Sequence, residues 1–232
     1  MRKMLRRRCK LPAEAFSPMA TLQVAVVDYG AGNLRSVAKA LARSGAAPCV
    51  TSDPEAVRRA DAVVLPGVGA FAEAVRQLCE AGLDAALRDA ILAGHPYLGL
   101  CLGLQLLFEE SDEHGRTPGL GLLAGRVTRF PERDPSGARL RVPHIGWNQV
   151  RFSGRHPVLE GLPASDYYYF VHAYRAVAAD DEDVVGRADY GGDFASAVAR
   201  DNLFAVQFHP EKSQAAGKRL LDSWVAWAGS CG

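Results

Sequence analysis

What most constrains this chain is a repeated pairing of short apolar runs with amphipathic stretches. Val24-Ala25-Val26-Val27, Ala47 to Thr51, Ala62-Val63-Val64-Leu65 and Pro96 to Leu100 are each short and apolar. Between them lie segments of helical periodicity, such as Leu34, Val37, Ala38, Leu41 and Ala42, stopped by Gly45. Runs with no polar face suit strands covered on both sides, and helices between them suit parallel crossovers. The pattern therefore predicts an α/β fold with a mostly parallel central sheet flanked by helices. Asp53-Pro54-Glu55 reads as a helix start, Asp as cap and Pro in the first turn. Phe71 to Leu92 reads as helical, and a helix from Leu102 to about Glu110 follows the fourth strand directly.

The second half changes character. Val127 to Phe130, Asn148 to Phe152, Tyr167 to Val177 and Ala195 to Phe208 read as strands separated by turn signals, an antiparallel extension of the sheet. A last helix spans Gln214 to Ala228 and turns Leu220, Leu221, Trp224, Val225 and Trp227 toward the sheet. A chain of 232 residues is ample for one such domain and short for two. Residues 21–232 are expected to form that domain. Residues 1–20 lack periodicity and read as a disordered basic arm or an over-extended start, with Met19 a natural beginning; the arm is expected to be dispensable.

Charge and cysteine usage narrow the function. The arm carries six of the 27 Lys and Arg, leaving a body with 21 basic and 25 acidic residues. A mildly acidic body argues against a nucleic-acid partner, which needs a basic face. No apolar run approaches the roughly 18 residues of a membrane span, and no apolar signal-peptide core follows the basic start. Five scattered cysteines without CxxC pairs suit a reducing cytoplasm and disfavour a disulfide framework or zinc ribbon. No His or acid pair has metal-ligand spacing, so no metal is expected. Neither GxxxxGK[ST] nor GxGxxG occurs at Gly67-Val68-Gly69 or Gly30-Ala31-Gly32-Asn33, and no cofactor is expected.

The sharpest chemical signal is Gly99-Leu100-Cys101-Leu102-Gly103, set between a predicted strand and a predicted helix. It is the thiol form of a nucleophile elbow: flanking glycines allow a tight turn that lifts Cys101 above the sheet edge. The Leu102 N–H then faces substrate as an oxyanion donor, and the helix start favours a thiolate. The rival reading is a buried cysteine at a strand end. Cys49 and Cys79 read as core, Cys231 as inert. The best base for Cys101 is His209, delivered to the same edge by the strand ending at Phe208. Glu211 can turn back to accept the other imidazole N–H and fix the tautomer. Gly67-Val68-Gly69 ends another predicted strand and offers further oxyanion donors. His95, His114 and His156 read as surface; His144 and His172 sit in aromatic-rich surroundings.

Gly99 to Gln105 (GLCLGLQ) and Gln207 to Ser213 (QFHPEKS) together resemble the class I glutamine amidotransferases. Asp28 to Ser36 (DYGAGNLRS), Leu65 to Phe71 (LPGVGAF), Pro143 to Asn148 (PHIGWN) and Tyr169 to Tyr174 (YFVHAY) resemble one branch of that family, the glutaminase subunits of imidazole glycerol phosphate synthase. The resemblance covers about 22–228. It implies that Cys101 attacks the side-chain amide of L-glutamine, that His209 moves the protons and that Glu211 orients His209. It implies an oxyanion hole at Leu102 and the Gly67-Val68-Gly69 segment, and glutamine contacts at Gly69, Gln105, His172, Ala173 and Tyr174. It implies a heterodimer in which ammonia passes to a (β/α)8-barrel cyclase subunit, with Asn33, Trp147, Tyr169 and Lys212 facing that partner. One departure is visible: Ala173 stands where the family usually has Ser or Thr. The alternatives are a glutaminase subunit of another synthase, such as that of pyridoxal phosphate, a stand-alone γ-glutamyl peptidase, or a non-catalytic subunit on the same fold.

Overall fold

The computed structural model describes residues 21–30 and 32–231. The expectations for residues 1–20, and the residue Ala31, lie outside the described residues. The first half runs β1 (Gln23–Val27), α1 (Leu34–Arg43), β2 (Ala47–Thr51), α2 (Pro54–Arg59), β3 (Ala62–Gly67), α3 (Phe71–Glu80), α4 (Leu83–Leu92), β4 (Tyr97–Cys101) and the single turn α5 (Leu102–Gln105). The second half runs β5 (Phe108–Ser111), β6 (Thr117–Pro118), β7 (Leu123–Arg129), β8 (His144–Phe152), α6 (Pro157–Glu160), β9 (Ser165–His172), β10 (Tyr174–Ala178), β11 (Val184–Asp189), β12 (Asp193–Arg200), β13 (Leu203–Val206) and α7 (Gln214–Gly229).

All the described strands share one sheet. Its centre is parallel, in the order β2-β1-β3-β4-β13. Antiparallel β12 follows, and there the sheet forks. One arm continues through β10, β7, β5 and β6, the other through β11, β8 and β9. Along the central strands alternate residues enter opposite core layers. Val24, Val26, Val64 and Leu98 pack with Leu220 and Trp224 of α7; Ala25, Val27, Val63 and Leu65 pack with Leu78, Leu83 and Leu87 of α3 and α4. Apolar cover on both faces is why these strands read as unbroken apolar runs. Asp53 caps α2 as its sequence predicts, accepting from the Glu55 N–H at 3.0 Å.

Several expectations are revised. The helix expected from Leu102 to Glu110 is one turn followed by strand β5, because Leu102 to Phe108 are all buried and no polar helix face exists. The helical stretch Phe71 to Leu92 is two helices, parted at Gly82 in the left-handed region (φ 66°). Tyr167 to Val177 breaks at Ala173 into β9 and β10, and Ala195 to Phe208 is a hairpin turning at Asp201 (φ 51°). Strand β11 has no counterpart in the sequence reading. Cys79 is exposed rather than core, whereas Cys49 is buried. His156 is buried against Phe204 and Trp227 rather than at the surface, with its ring nitrogen accepting from the Val158 N–H.

Candidate active site

The site lies at the carboxyl ends of β3, β4 and β13, three adjacent parallel strands. Ligand sites in open α/β sheets gather at such edges. Register sets Gly67 of β3 beside Cys101 of β4, and Val206 of β13 beside Leu100. Cys101 itself adopts the strained turn conformation, φ 54° and ψ −104°. A non-glycine residue held there costs on the order of 1–3 kcal/mol, which the surrounding packing must offset. The flanking glycines do not supply that turn, contrary to expectation. They permit close approach: a Cβ on Gly103 would stand 1.9 Å from the Leu65 carbonyl oxygen, and one on Gly99 would stand 2.7 Å from the Gly103 oxygen. Leu102 opens α5, so its N–H has no helical acceptor. With only one turn behind it, α5 contributes local N–H groups rather than a long helix dipole.

His209 is 3% exposed and follows β13. Its Nδ1 lies 2.8 Å from Glu211 Oε1, closed by a 3-10 turn over Pro210–Lys212. Its Nε2, beside Cys101, has no close hydrogen-bond partner. Burial opposes a charge on this ring, but the Cys101 sulfur and the Glu211 carboxylate outweigh it and raise the pKa to about 9. Asn33, expected at a partner interface, donates from Nδ2 to Glu211 Oε1 at 2.5 Å. It sits in the left-handed region (φ 73°) just before α1 and holds the carboxylate by that bond.

A cleft of about 320 Å³ opens in front of Cys101. Val68, Gly69, Leu102, Gln105, His172, Ala173, Tyr174 and His209 line it, together with Glu113, Pro143 and Val171. Every residue expected to touch glutamine is therefore gathered there. Of the expected oxyanion segment, Val68 and Gly69 reach the cleft, while Gly67 is buried in the sheet and lines a small void behind His209 and Glu211. At Ala173 the carbonyl accepts from the Phe130 N–H, at 3.0 Å, leaving a methyl where a hydroxyl was expected.

His144 and His172 face each other across β8 and β9, with His144 Nδ1 and His172 Nε2 3.1 Å apart. His172 Nδ1 lies 2.8 Å from the Tyr174 carbonyl and so carries the proton. Burial lowers both rings, His144 to about 4 and His172 to about 3, so both are neutral and the His144 Nδ1–H donates to His172 Nε2. The outer face of β8 and β9 is apolar. Trp147 is 48% exposed and meets Tyr169 edge-on at 6.3 Å between centroids; Lys212 Nζ stands 6.0 Å from the Tyr169 ring. Ile145 and Tyr167 extend the same exposed patch. Core packing is thus excluded for Trp147. Tyr169 is also tied to His209: its carbonyl accepts from the His209 N–H at 2.9 Å, and its N–H donates to Ser213 Oγ at 3.0 Å.

Sequence reasoning missed three neighbours. Glu113 lines the cleft and accepts from the Phe71 N–H at 2.7 Å; an acid twelve residues past Cys101 carries no local signal. Tyr29 buries an unpartnered hydroxyl near Cys101, which together with burial holds it protonated. Gln207, fully buried, donates to the Cys101 sulfur at 3.6 Å.

The profile of the family described as glutamine amidotransferase class-I matches residues 25–226. The chain is 53% identical over 209 residues to the imidazole glycerol phosphate synthase subunit HisH of Methylococcus capsulatus, covering 88% of this chain and 96% of that one. It is 50% identical over 210 residues to the subunit of the same name from Aromatoleum aromaticum, covering 88% and 98%. The chain belongs to the class-I glutamine amidotransferases, in the imidazole glycerol phosphate synthase subunit HisH branch. Among solved structures, a glutamine amidotransferase superposes with a TM-score of 0.68 at 24% identity, covering 89% of this chain and 98% of that one. PurLQS from Thermotoga maritima gives 0.66 at 21%, covering 90% and 99%. At these identities the likeness supports the fold of this amidotransferase, a mostly parallel sheet with antiparallel arms.

Proposed function

We propose that this chain hydrolyses glutamine to glutamate and ammonia at Cys101, and passes the ammonia to a (β/α)8-barrel cyclase subunit that makes imidazole glycerol phosphate and aminoimidazole carboxamide ribotide in histidine biosynthesis. The observation that carries it is the meeting of Cys101, His209 and Glu211 at three adjacent strand ends, in front of a cleft lined by the expected glutamine contacts. Cys101 Sγ attacks the side-chain amide carbon, its proton passing to His209. The tetrahedral oxyanion meets the Leu102 N–H and an N–H from Val68 or Gly69. The C–N bond breaks, the imidazolium protonates the leaving nitrogen, and a γ-glutamyl thioester remains. Water, deprotonated by His209, then releases glutamate and returns the electron pair to sulfur. Glu113 offers a carboxylate to the substrate ammonium, and Gln105 an amide oxygen to its polar end.

Residues 21–232 act as one amidotransferase domain in the cytoplasm. The partner docks on the Trp147, Tyr169 and Lys212 patch, close to the backbone that holds His209. Among the described residues no helix is long and apolar enough to cross a membrane. The reading is tested by measuring glutamate formation by the chain alone, with the cyclase, and with the cyclase carrying its ligand. Near-silence alone and strong activation by the liganded partner are expected, because one missing oxyanion donor costs about 3–4 kcal/mol, roughly a hundred- to thousandfold. Full turnover by the isolated chain would favour a stand-alone peptidase or glutaminase.

A further inference from the structure

Behind the cleft, against Cys101 and Gln105, lies a buried polar group that the mechanism above does not use. Gln207 is 0% exposed, between β13 and His209. A fully buried glutamine amide must meet partners on both ends or forfeit its hydration. Its orientation follows from its neighbours. The Tyr174 carbonyl can only accept, and Gln105 presents Nε2 to it at 3.0 Å. The second Gln105 N–H points at the Gln207 amide, also at 3.0 Å, so that amide must turn its Oε1 toward Gln105. The Gln207 NH2 is thereby turned to the Cys101 sulfur, 3.6 Å away. The histidine pair anchors the far end, since His172 Nδ1–H also donates to the Tyr174 carbonyl.

We propose that Gln207 is a further catalytic residue: its side-chain amide donates to Cys101 Sγ and stabilises the negative charge on sulfur before acylation and after thioester hydrolysis. The inference rests on the glutaminase reading for its consequence in turnover, but not for the interaction itself. Attack forms the S–C bond and draws the sulfur lone pair into it, so the hydrogen bond weakens. When water cleaves the thioester, the C–S bond breaks, the electron pair returns to sulfur, and the amide meets the charge again. Gln105 acts through Gln207 as well as on substrate, because its second N–H fixes which end of the amide faces the sulfur. Gln207 donates to the sulfur with a permanent N–H, whereas His209 Nε2 stands beside it with a proton that moves during the reaction.

The test uses the full chain, wild type, Gln207→Glu and Gln207→Leu. Alkylation of Cys101 by iodoacetamide is followed peptide by peptide across a wide pH range, with the exposed Cys79 and Cys231 as internal references. Gln207→Glu keeps the size of the side chain and an oxygen for Gln105, so it reports even if Gln207→Leu fails to fold. In both variants the Cys101 midpoint is expected to move to higher pH by about one unit, equivalent to about 1.4 kcal/mol. Glutamine kcat, measured with the liganded cyclase, is expected to fall by up to about tenfold, the equivalent of that one unit, with a much smaller change in KM. A Cys101 profile in Gln207→Glu superimposable on wild type overturns the proposal. The alkylation needs no glutamine. A shifted profile in a chain that never hydrolyses glutamine even with the liganded cyclase therefore supports the hydrogen bond and refutes the glutaminase reading, whereas active complex with an unshifted profile does the reverse.

Discussion

At the scale of single residues, the site is a set of polar groups whose partners leave little freedom. Glu211 Oε1 receives both Asn33 Nδ2 and the His209 ring, so the carboxylate is fixed from two sides. The imidazolium form of His209 is favoured up to about pH 9 by that carboxylate and the sulfur, despite burial. The sign follows directly. In the proposed mechanism protonated His209 delivers a proton to departing ammonia, so kcat/KM should fall as pH rises through about 9. The stabilisation that this raised pKa lends the fold is complete below the ordinary histidine value of about 6.5 and is lost over the same alkaline window. Glu211→Gln removes one cause of the raised pKa and should move the alkaline limb to lower pH. A pH–rate profile of the activated complex checks both; a limb that stays in place in Glu211→Gln would contradict the assigned role. The bond from Asn33 to Glu211 was not legible in the sequence, because an amide before a helix has the same local signature whatever it bonds to.

At the scale of elements, the junction of β4 and α5 depends on two glycines for different reasons than a tight turn. Gly103 lets α5 rest directly on the Leu65 carbonyl of β3, a backbone atom that cannot rotate away. Gly103→Ala should therefore destabilise by about 1–3 kcal/mol, the cost of overpacking, and should displace Cys101 enough to lower turnover further. Denaturant unfolding and glutamate formation measure the two effects separately. The element scale is also where sequence was least informative. The elbow and the His209-Pro210-Glu211 segment were legible because strand, turn and chemistry coincide over a few residues. The short α5 was not, because Leu102 to Phe108 is buried on all sides and carries no period to separate a turn and strand from a helix. The break at Ala173 was hidden within a run of strand formers, although it is there that the chain leaves β9 to line the cleft. On the opposite face of β8 and β9, Trp147 is half-exposed beside Tyr169. Trp147→Ala should leave the melting temperature of the chain nearly unchanged and weaken cyclase binding by about 2 kcal/mol, as truncation of a central aromatic does. Isothermal titration with the cyclase gives the affinity.

At the scale of the whole molecule, the parallel half carries Cys101 and His209, the proposed nucleophile and base, and the forked antiparallel half closes the cleft. The α/β class, the parallel order and the antiparallel extension follow from apolar runs and helical periods. The fork at β12 does not, because pairing between distant strands leaves no mark on either strand alone. Its consequence is functional: the arm ending in β8 and β9 carries the histidine pair on its inner face and the Trp147 patch on its outer face, and its Tyr169 backbone holds His209. A partner bound outside thus touches an element bonded to the base inside. The proposed function rests on covalent chemistry at one sulfur, that of Cys101. The most direct measurement is mass spectrometry of the chain quenched during glutamine turnover in the presence of the cyclase, compared with Cys101→Ala. A γ-glutamyl adduct on the peptide carrying Cys101, with no adduct on Cys79 or Cys231 and no glutamate formed by Cys101→Ala, is the predicted result. Glutamate production that persists in Cys101→Ala, or an adduct at another cysteine, would contradict the account.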